Sequence, residues 1–160
     1  MRHTLITCLA LLTASLAQAG TAEVSFVEPQ KFSDGGSRLG EAEQVRASIS
    51  AHLQTLAAAH LPIDQTLRVE VLDLDLAGEV RSTRRGSDMR VLRGRADWPR
   101  ITLRYNLRQG EKVMAAGEDS LADMNYLDTR VGLLAYNQSL PYERRMLTRW
   151  FEQRFVPASH

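Results

Sequence analysis

The chain has 160 residues, of which 44% are hydrophobic, 24% charged and 6% aromatic, with 20 Lys and Arg against 19 Asp and Glu. This is the composition of a folded globular protein, which excludes a disordered, collagen-like or coiled-coil chain, and the length suits a single domain. One cysteine, Cys8, excludes an internal disulfide and any multi-cysteine zinc or iron–sulfur centre.

Met1-Arg2-His3 is a short positive start, Leu5 to Leu16 an apolar run, and Ala17-Gln18-Ala19 a small-x-small site before Gly20. These parts make residues 1–19 a secretory signal peptide. The run is too short for a spanning helix, which needs about 20 apolar residues. Cys8 sits inside it with too little ahead of it for a lipidated cysteine. Cleavage after Ala19 is expected to leave a single domain of residues 20–160, with 19 basic and 19 acidic side chains and no thiol chemistry.

Val24 to Val27 is a short β-prone run ended by Glu28-Pro29, and Ser33-Asp34-Gly35-Gly36-Ser37 reads as a loop. From Leu39 to His60, Leu39, Ala42, Val45, Ile49, Leu53, Leu56 and Ala59 recur at helical spacing until Pro62. Glu41 and Glu43 lie in the first turn, where the helix dipole favours acids. Thr66 to Leu76 reads as a strand whose alternation changes phase. Leu67, Val69 and Val71 share one face, then Leu72, Leu74 and Leu76 the other, which predicts a β-bulge near Val71-Leu72 or a second packing environment. Met89 to Leu92 is a weaker strand. Ile101, Leu103, Tyr105 and Leu107 alternate with polar residues, as in an antiparallel sheet with one wet face. Gln109-Gly110-Glu111 turns this strand back into Lys112 to Ala116. Ala122 to Gln138 suits a short helix or a packed loop. Pro141 opens a last helix that runs to about Arg154 with Tyr142, Met146, Leu147, Trp150 and Phe151 on one side. The expected fold is α+β: a mostly antiparallel or mixed sheet of four to five strands, a long helix after the first strand and a C-terminal helix packed on one face.

Five segments carry a family likeness: Phe26-Val27-Glu28-Pro29 with Phe32 and Asp34, Leu61-Pro62 followed by Leu67 to Glu79, Trp98 to Tyr105, Asp123 to Leu127, and Tyr142-Glu143 through Trp150-Phe151. Over essentially the whole mature region the chain resembles the bacterial secreted family designated domain of unknown function 3016. The resemblance transfers no catalytic residue. It implies a periplasmic protein of the Gram-negative envelope with one compact domain.

Two charged sets are candidate sites. Asp73, Asp75 and Glu79, with Asp123 as a further carboxylate, form an acidic surface that would suit a hard cation or an acid/base pair. Asp73 and Asp75 are expected to face Arg100 and Arg104. Against them stands a basic block with nine arginines between Arg81 and Arg108, of which Arg81, Arg84, Arg85, Arg90 and Arg93 are the candidate anion-binding face. The block serves an anionic partner, such as an envelope protein, lipid or glycan, or it pairs internally with the acidic strand. Nucleic acid is not an expected partner of an exported chain with so few aromatic residues. His52 and His60 stand too far apart on their helix to share a metal, His52 being read as a helix-flank residue, and no cofactor or metal is expected. The serines lack a Gly-x-Ser-x-Gly context. The function expected is therefore non-catalytic binding; the alternative is a hydrolase of envelope polymers using Asp73, Asp75 and Asp123.

Overall fold

The computed structural model describes residues 19–36, 39–82, 88–128 and 139–157. Strand β1 (Thr21–Phe26) leads through a 3-10 turn (Pro29–Lys31) into helix α1 (Leu39–His60) and then strand β2 (Gln65–Asp75). A short ribbon of β3 (Glu79–Ser82) and β4 (Asp88–Val91) follows, then β5 (Arg100–Gln109), β6 (Lys112–Ala122) and helix α2 (Pro141–Phe155). The main sheet has the order β1-β2-β5-β6, with β1 parallel to β2 and the other pairs antiparallel. The fold is α+β with a mixed four-stranded sheet.

The phase change in β2 resolves as a bulge. The register shifts between Val71 and Asp73, so that Val71 pairs with Leu103 and Leu74 with Ile101 while Leu72 is left over. The extra residue returns Leu74 to the face already occupied by Leu67, Val69 and Val71, all fully buried. Ile101, Leu103, Tyr105 and Leu107 of β5 complete that face.

Both helices cover this one face. Helix α1 packs against β1 and α2 against β6, and the helices touch each other. The buried stripe of α1 is Val45, Ile49, Leu53, Leu56 and Ala57; Ala59, expected on the stripe, is exposed because the helix turns it past the sheet. Helix α2 contributes Met146, Leu147, Trp150 and Phe151. His52 bridges the helices rather than standing on a flank: its Nε2 lies 2.9 Å from both Arg144 O and Thr148 Oγ1. Burial and the nearby Arg144 charge lower its pKa, so it bridges as a neutral imidazole.

Two strand boundaries differ by several residues from the sequence reading, and one strand, β3, is absent from that reading. Strand β1 starts three residues early, because the parallel pairing with β2 extends from Thr21 opposite Thr66. Strand β6 runs to Ala122, held at its far end by side chains: Asp119 accepts bonds from Trp150 Nε1 at 2.8 Å and Arg154 Nη2 at 2.6 Å. Gly117 lies opposite Tyr105, where a Cβ would stand 2.9 Å from the phenol oxygen, so the glycine makes room for the ring. Strand β3 has no alternation of its own and forms by pairing with β4. Residues 124–128 form turns, and the rest of the segment up to Gln138 lies outside the described residues.

Leu53 is fully buried at the helix–sheet junction, so Leu53→Ala should lower unfolding free energy by about 2–5 kcal/mol. Gln54→Ala, on the exposed side of the same turn, should change it by less than about 0.5 kcal/mol. Urea unfolding of the two variants checks the assignment of the α1 face.

Candidate functional site

The second face of the sheet is covered by neither helix. Arg68 and Glu70 project from β2, Arg104, Asn106 and Arg108 from β5, and Glu118 from β6. Together they line a depression of about 440 Å³. Its guanidinium groups have acidic or carbonyl partners around the rim. Arg68 Nε donates to Glu23 at 2.7 Å, Arg104 bridges Glu70 at 3.0 Å and Glu118 at 3.2 Å, and Arg108 reaches Glu111 at 3.1 Å. Arg104 is half-exposed with both its partners, so each pair contributes only about 0–1 kcal/mol. At the centre, the side-chain oxygen of Asn106 is buried and has no hydrogen-bond partner among the described residues.

The candidate acids Asp73, Asp75, Glu79 and Asp123 and the described candidate arginines Arg81, Arg90 and Arg93 lie outside this depression and pair with one another only through Glu79. Asp75 accepts two bonds from Arg100, at 3.0 and 2.5 Å, across the β2–β5 pair. Asp73 instead ties down the loop before α1, accepting from Ser33 N at 2.8 Å and Ser33 Oγ at 2.9 Å, while Arg104 goes to Glu70 and Glu118. Glu79 pairs with Arg81 at 3.5 Å and closely with Arg93. Arg90 is drawn inward to Asp34 at 2.7 Å and Glu41 at 3.3 Å. Arg84 and Arg85 lie outside the described residues. Asp73, Asp75, Glu79 and Asp123 therefore have separate partners and share none of them.

Asp123 is the anchor of a third arrangement. It is 6% exposed and accepts from Arg145 at 2.9 Å and Arg149 at 2.6 Å, which joins the end of β6 to α2. Tyr126 packs edge-on to Tyr142 with ring centroids 4.9 Å apart, and its hydroxyl donates to Asp97 at 2.9 Å while accepting from Gly94 N at 3.2 Å. Burial and the Asp97 carboxylate push the Tyr126 phenol up to about 12. Trp98 packs into this cluster, with Arg100 5.5 Å above its ring. The polar Asp123-Asn125-Tyr126 motif thus includes a network that fixes a loop on the helix.

Sequence reasoning missed Glu143 and Asn106 as site residues. Glu143 is 2% exposed and its Oε1 accepts the Ala77 amide hydrogen at 2.9 Å. An acid in the first turn of a helix reads as a solvated partner of the helix dipole, and nothing in the spacing says that the connection after β2 closes over it. Asn106 reads as one polar residue among several on a wet strand face; its burial comes from neighbours on three strands. Among the described residues no helix is long and apolar enough to cross a membrane, and no three His, Cys, Asp or Glu side chains gather as metal ligands.

A family described as "Protein of unknown function (DUF3016)" matches residues 20–153. The chain belongs to this family. No curated protein matches it. The matched region contains both the open sheet face and the buried Glu143.

Burial raises the Glu143 carboxyl above its ordinary value of 4.5, against the opposing pull of the Ala77 amide and Arg90. A raised folded-state pKa means that the folded protein holds this proton more tightly than the unfolded chain. Its stabilising effect is complete below about 4.5 and is lost as pH rises through the folded value. Glu143→Gln keeps an acceptor for Ala77 and removes the titration. The variant should therefore gain melting temperature relative to the wild type as pH is raised from 4 to 8, and thermal scans across that range would refute the buried acid if the difference stayed constant.

Proposed function

We propose that the protein is exported to the periplasm and works there as a non-catalytic binding domain that takes an acidic glycan on the open face of its sheet. The observation that carries this reading is an uncovered sheet face whose depression is bounded by three guanidinium groups, one of them, Arg104, half-exposed and only weakly paired. Sugar hydroxyls can bond the half-exposed Glu70 and Glu118 carboxylates that line the depression. A carboxylate or phosphate on the same sugar would compete with Glu70 and Glu118 for Arg104, whose weak, half-exposed pairs exchange at little cost. Arg68, Arg104 and Arg108 stand against Glu70 and Glu118 in the lining and Glu23 and Glu111 at the rim, so an anion gains access only by displacing these exposed partners. Hydrolysis is disfavoured because Asp73, Asp75 and Asp123 engage different partners and do not face one bond. The start of the chain, with its charged, apolar and small-residue sections before Gly20, supports export.

Titration with an oligogalacturonate at low salt should show saturable binding that weakens steeply by 150 mM salt. Arg104→Gln and Asn106→Asp should each weaken it by about tenfold or more, a loss of about 1.4 kcal/mol, with melting temperature nearly unchanged. Equal binding of a neutral maltooligosaccharide, or no effect of either variant, would overturn the assignment. Export has its own check: intact mass of periplasmic protein should begin at Gly20, and full-length protein in the cytoplasm would refute it.

A further inference from the structure

A second cavity, independent of the sheet face, lies where the start of α2 meets the β3–β4 ribbon. It has a volume of about 320 Å³, with Leu76, Leu92, Leu140 and Pro141 as hydrocarbon walls and Glu143 and Arg90 as its charged residues. The volume is at the lower end of ligand cavities, about 300–1,000 Å³, and suits a molecule of a few carbons.

The polar groups restrict what that molecule can be. Arg90 lines the cavity, but its terminal nitrogens are already engaged: Nη1 donates to Asp34 Oδ2 at 2.7 Å and Gly78 O at 2.9 Å, and Nη2 to Glu41 Oε1 at 3.3 Å. Two carboxylates around one guanidinium leave negative charge in excess, so an entering anion meets repulsion and engaged donors. Glu143 is the opposite case, an acid buried among apolar walls with the Ala77 amide on Oε1. Beside it, Leu140 holds a left-handed backbone, φ 57° and ψ 54°, which a leucine adopts only at a cost in energy. A strained residue and a buried acid three positions apart thus line the same cavity.

We propose that this cavity binds a primary ammonium on a short hydrocarbon stem, with the ammonium against the Glu143 carboxylate and the stem along Leu76, Leu92 and Leu140. Charge balances by proton exchange. Burial shifts the acid toward its protonated form in the empty cavity, and whatever proton it holds passes to the buffer as the ammonium enters, so the charge balances. The groups that bear on this exchange are Arg90 of β4, Asp34 in the loop before α1, and Glu41 of α1 through Arg90. A free alkylamine and a lysine side chain share this chemistry.

Calorimetric titration of the full mature protein with n-pentylammonium, in two buffers of different ionisation enthalpy, tests the proposal. One-to-one binding is expected, with proton release that grows as the pH of the titration is lowered toward 4.5, and n-pentanol and pentanoate should bind at least about tenfold more weakly. Glu143→Gln keeps an acceptor for Ala77 and should lower amine affinity by about tenfold or more. Tighter binding of Nα-acetyl-lysine amide than of n-pentylammonium would identify a lysine side chain as the natural occupant, and the reverse order a free amine. Pentanoate binding as tightly as the amine, undiminished binding by the folded Gln variant, or no amine binding to the wild type would each overturn the site. Should the Gln variant fail to fold, the comparison of amine with pentanol on the wild type decides alone.

Discussion

The bulge at Leu72 sets the terms for the rest of the molecule. Without it, strict alternation would carry Val71 on to Asp73 and Asp75 on the core face, placing two carboxylates beneath the helices. With it, Leu74 packs opposite Ile101 and the two aspartates escape. Asp75 takes Arg100, and Asp73 takes Ser33, which holds the following residue against the end of β2. There the Asp34 amide donates to Leu74 O at 2.8 Å and the Asp34 carboxylate captures Arg90. Arg90 then holds the Gly78 carbonyl, one residue after the amide that Glu143 accepts. One extra residue in a strand thus ties the sheet to the loop before α1, and that loop through the ribbon to α2.

The chain's charges follow from the same geometry. A near-neutral sequence with a dense arginine block admits two arrangements, an open basic face or internal pairing, and composition alone does not choose between them. Internal pairing is what the described members show, and for Arg100 and Arg104 it runs across adjacent strands. Arg100 sits opposite Asp75 and Arg104 opposite both Glu70 and Glu118 by sheet register. Register is a tertiary property, so the partners of Arg104 become known only with β6 in place.

How legible each element is depends on whether its cause is local. Helix α1 shows in the spacing of Val45, Ile49 and Leu53 and in Pro62 beyond its end, and α2 in Pro141 and its apolar side. The bulge shows because leucines change parity within one strand. The far half of β6 does not show, since Gly117-Glu118-Asp119-Ser120 has weak strand propensity and is held by Tyr105, Trp150 and Arg154. The candidate sites are less legible still. Asn106 and Glu143 are ordinary polar residues in their own elements, and what distinguishes them is enclosure by residues distant in sequence.

Enclosure also gives the two depressions opposite characters. On the sheet face the guanidinium groups are half-exposed and their pairs weak, so they can exchange partners, and a ligand there competes with side chains that lose little by letting go. In the cavity beside α2 the guanidinium is held by two carboxylates and a backbone carbonyl and the acid is buried, so the groups already paired there have little freedom to exchange. A glutamine at that position would make the same bond to Ala77 without the cost of burying an acid. Where a fold keeps a costly group whose structural bond a cheaper residue could make, and places it next to a strained backbone, the local rules are broken together. Such coincident violations gather at sites that handle ligands, because strain and burial that oppose folding are retained where they prepare a contact.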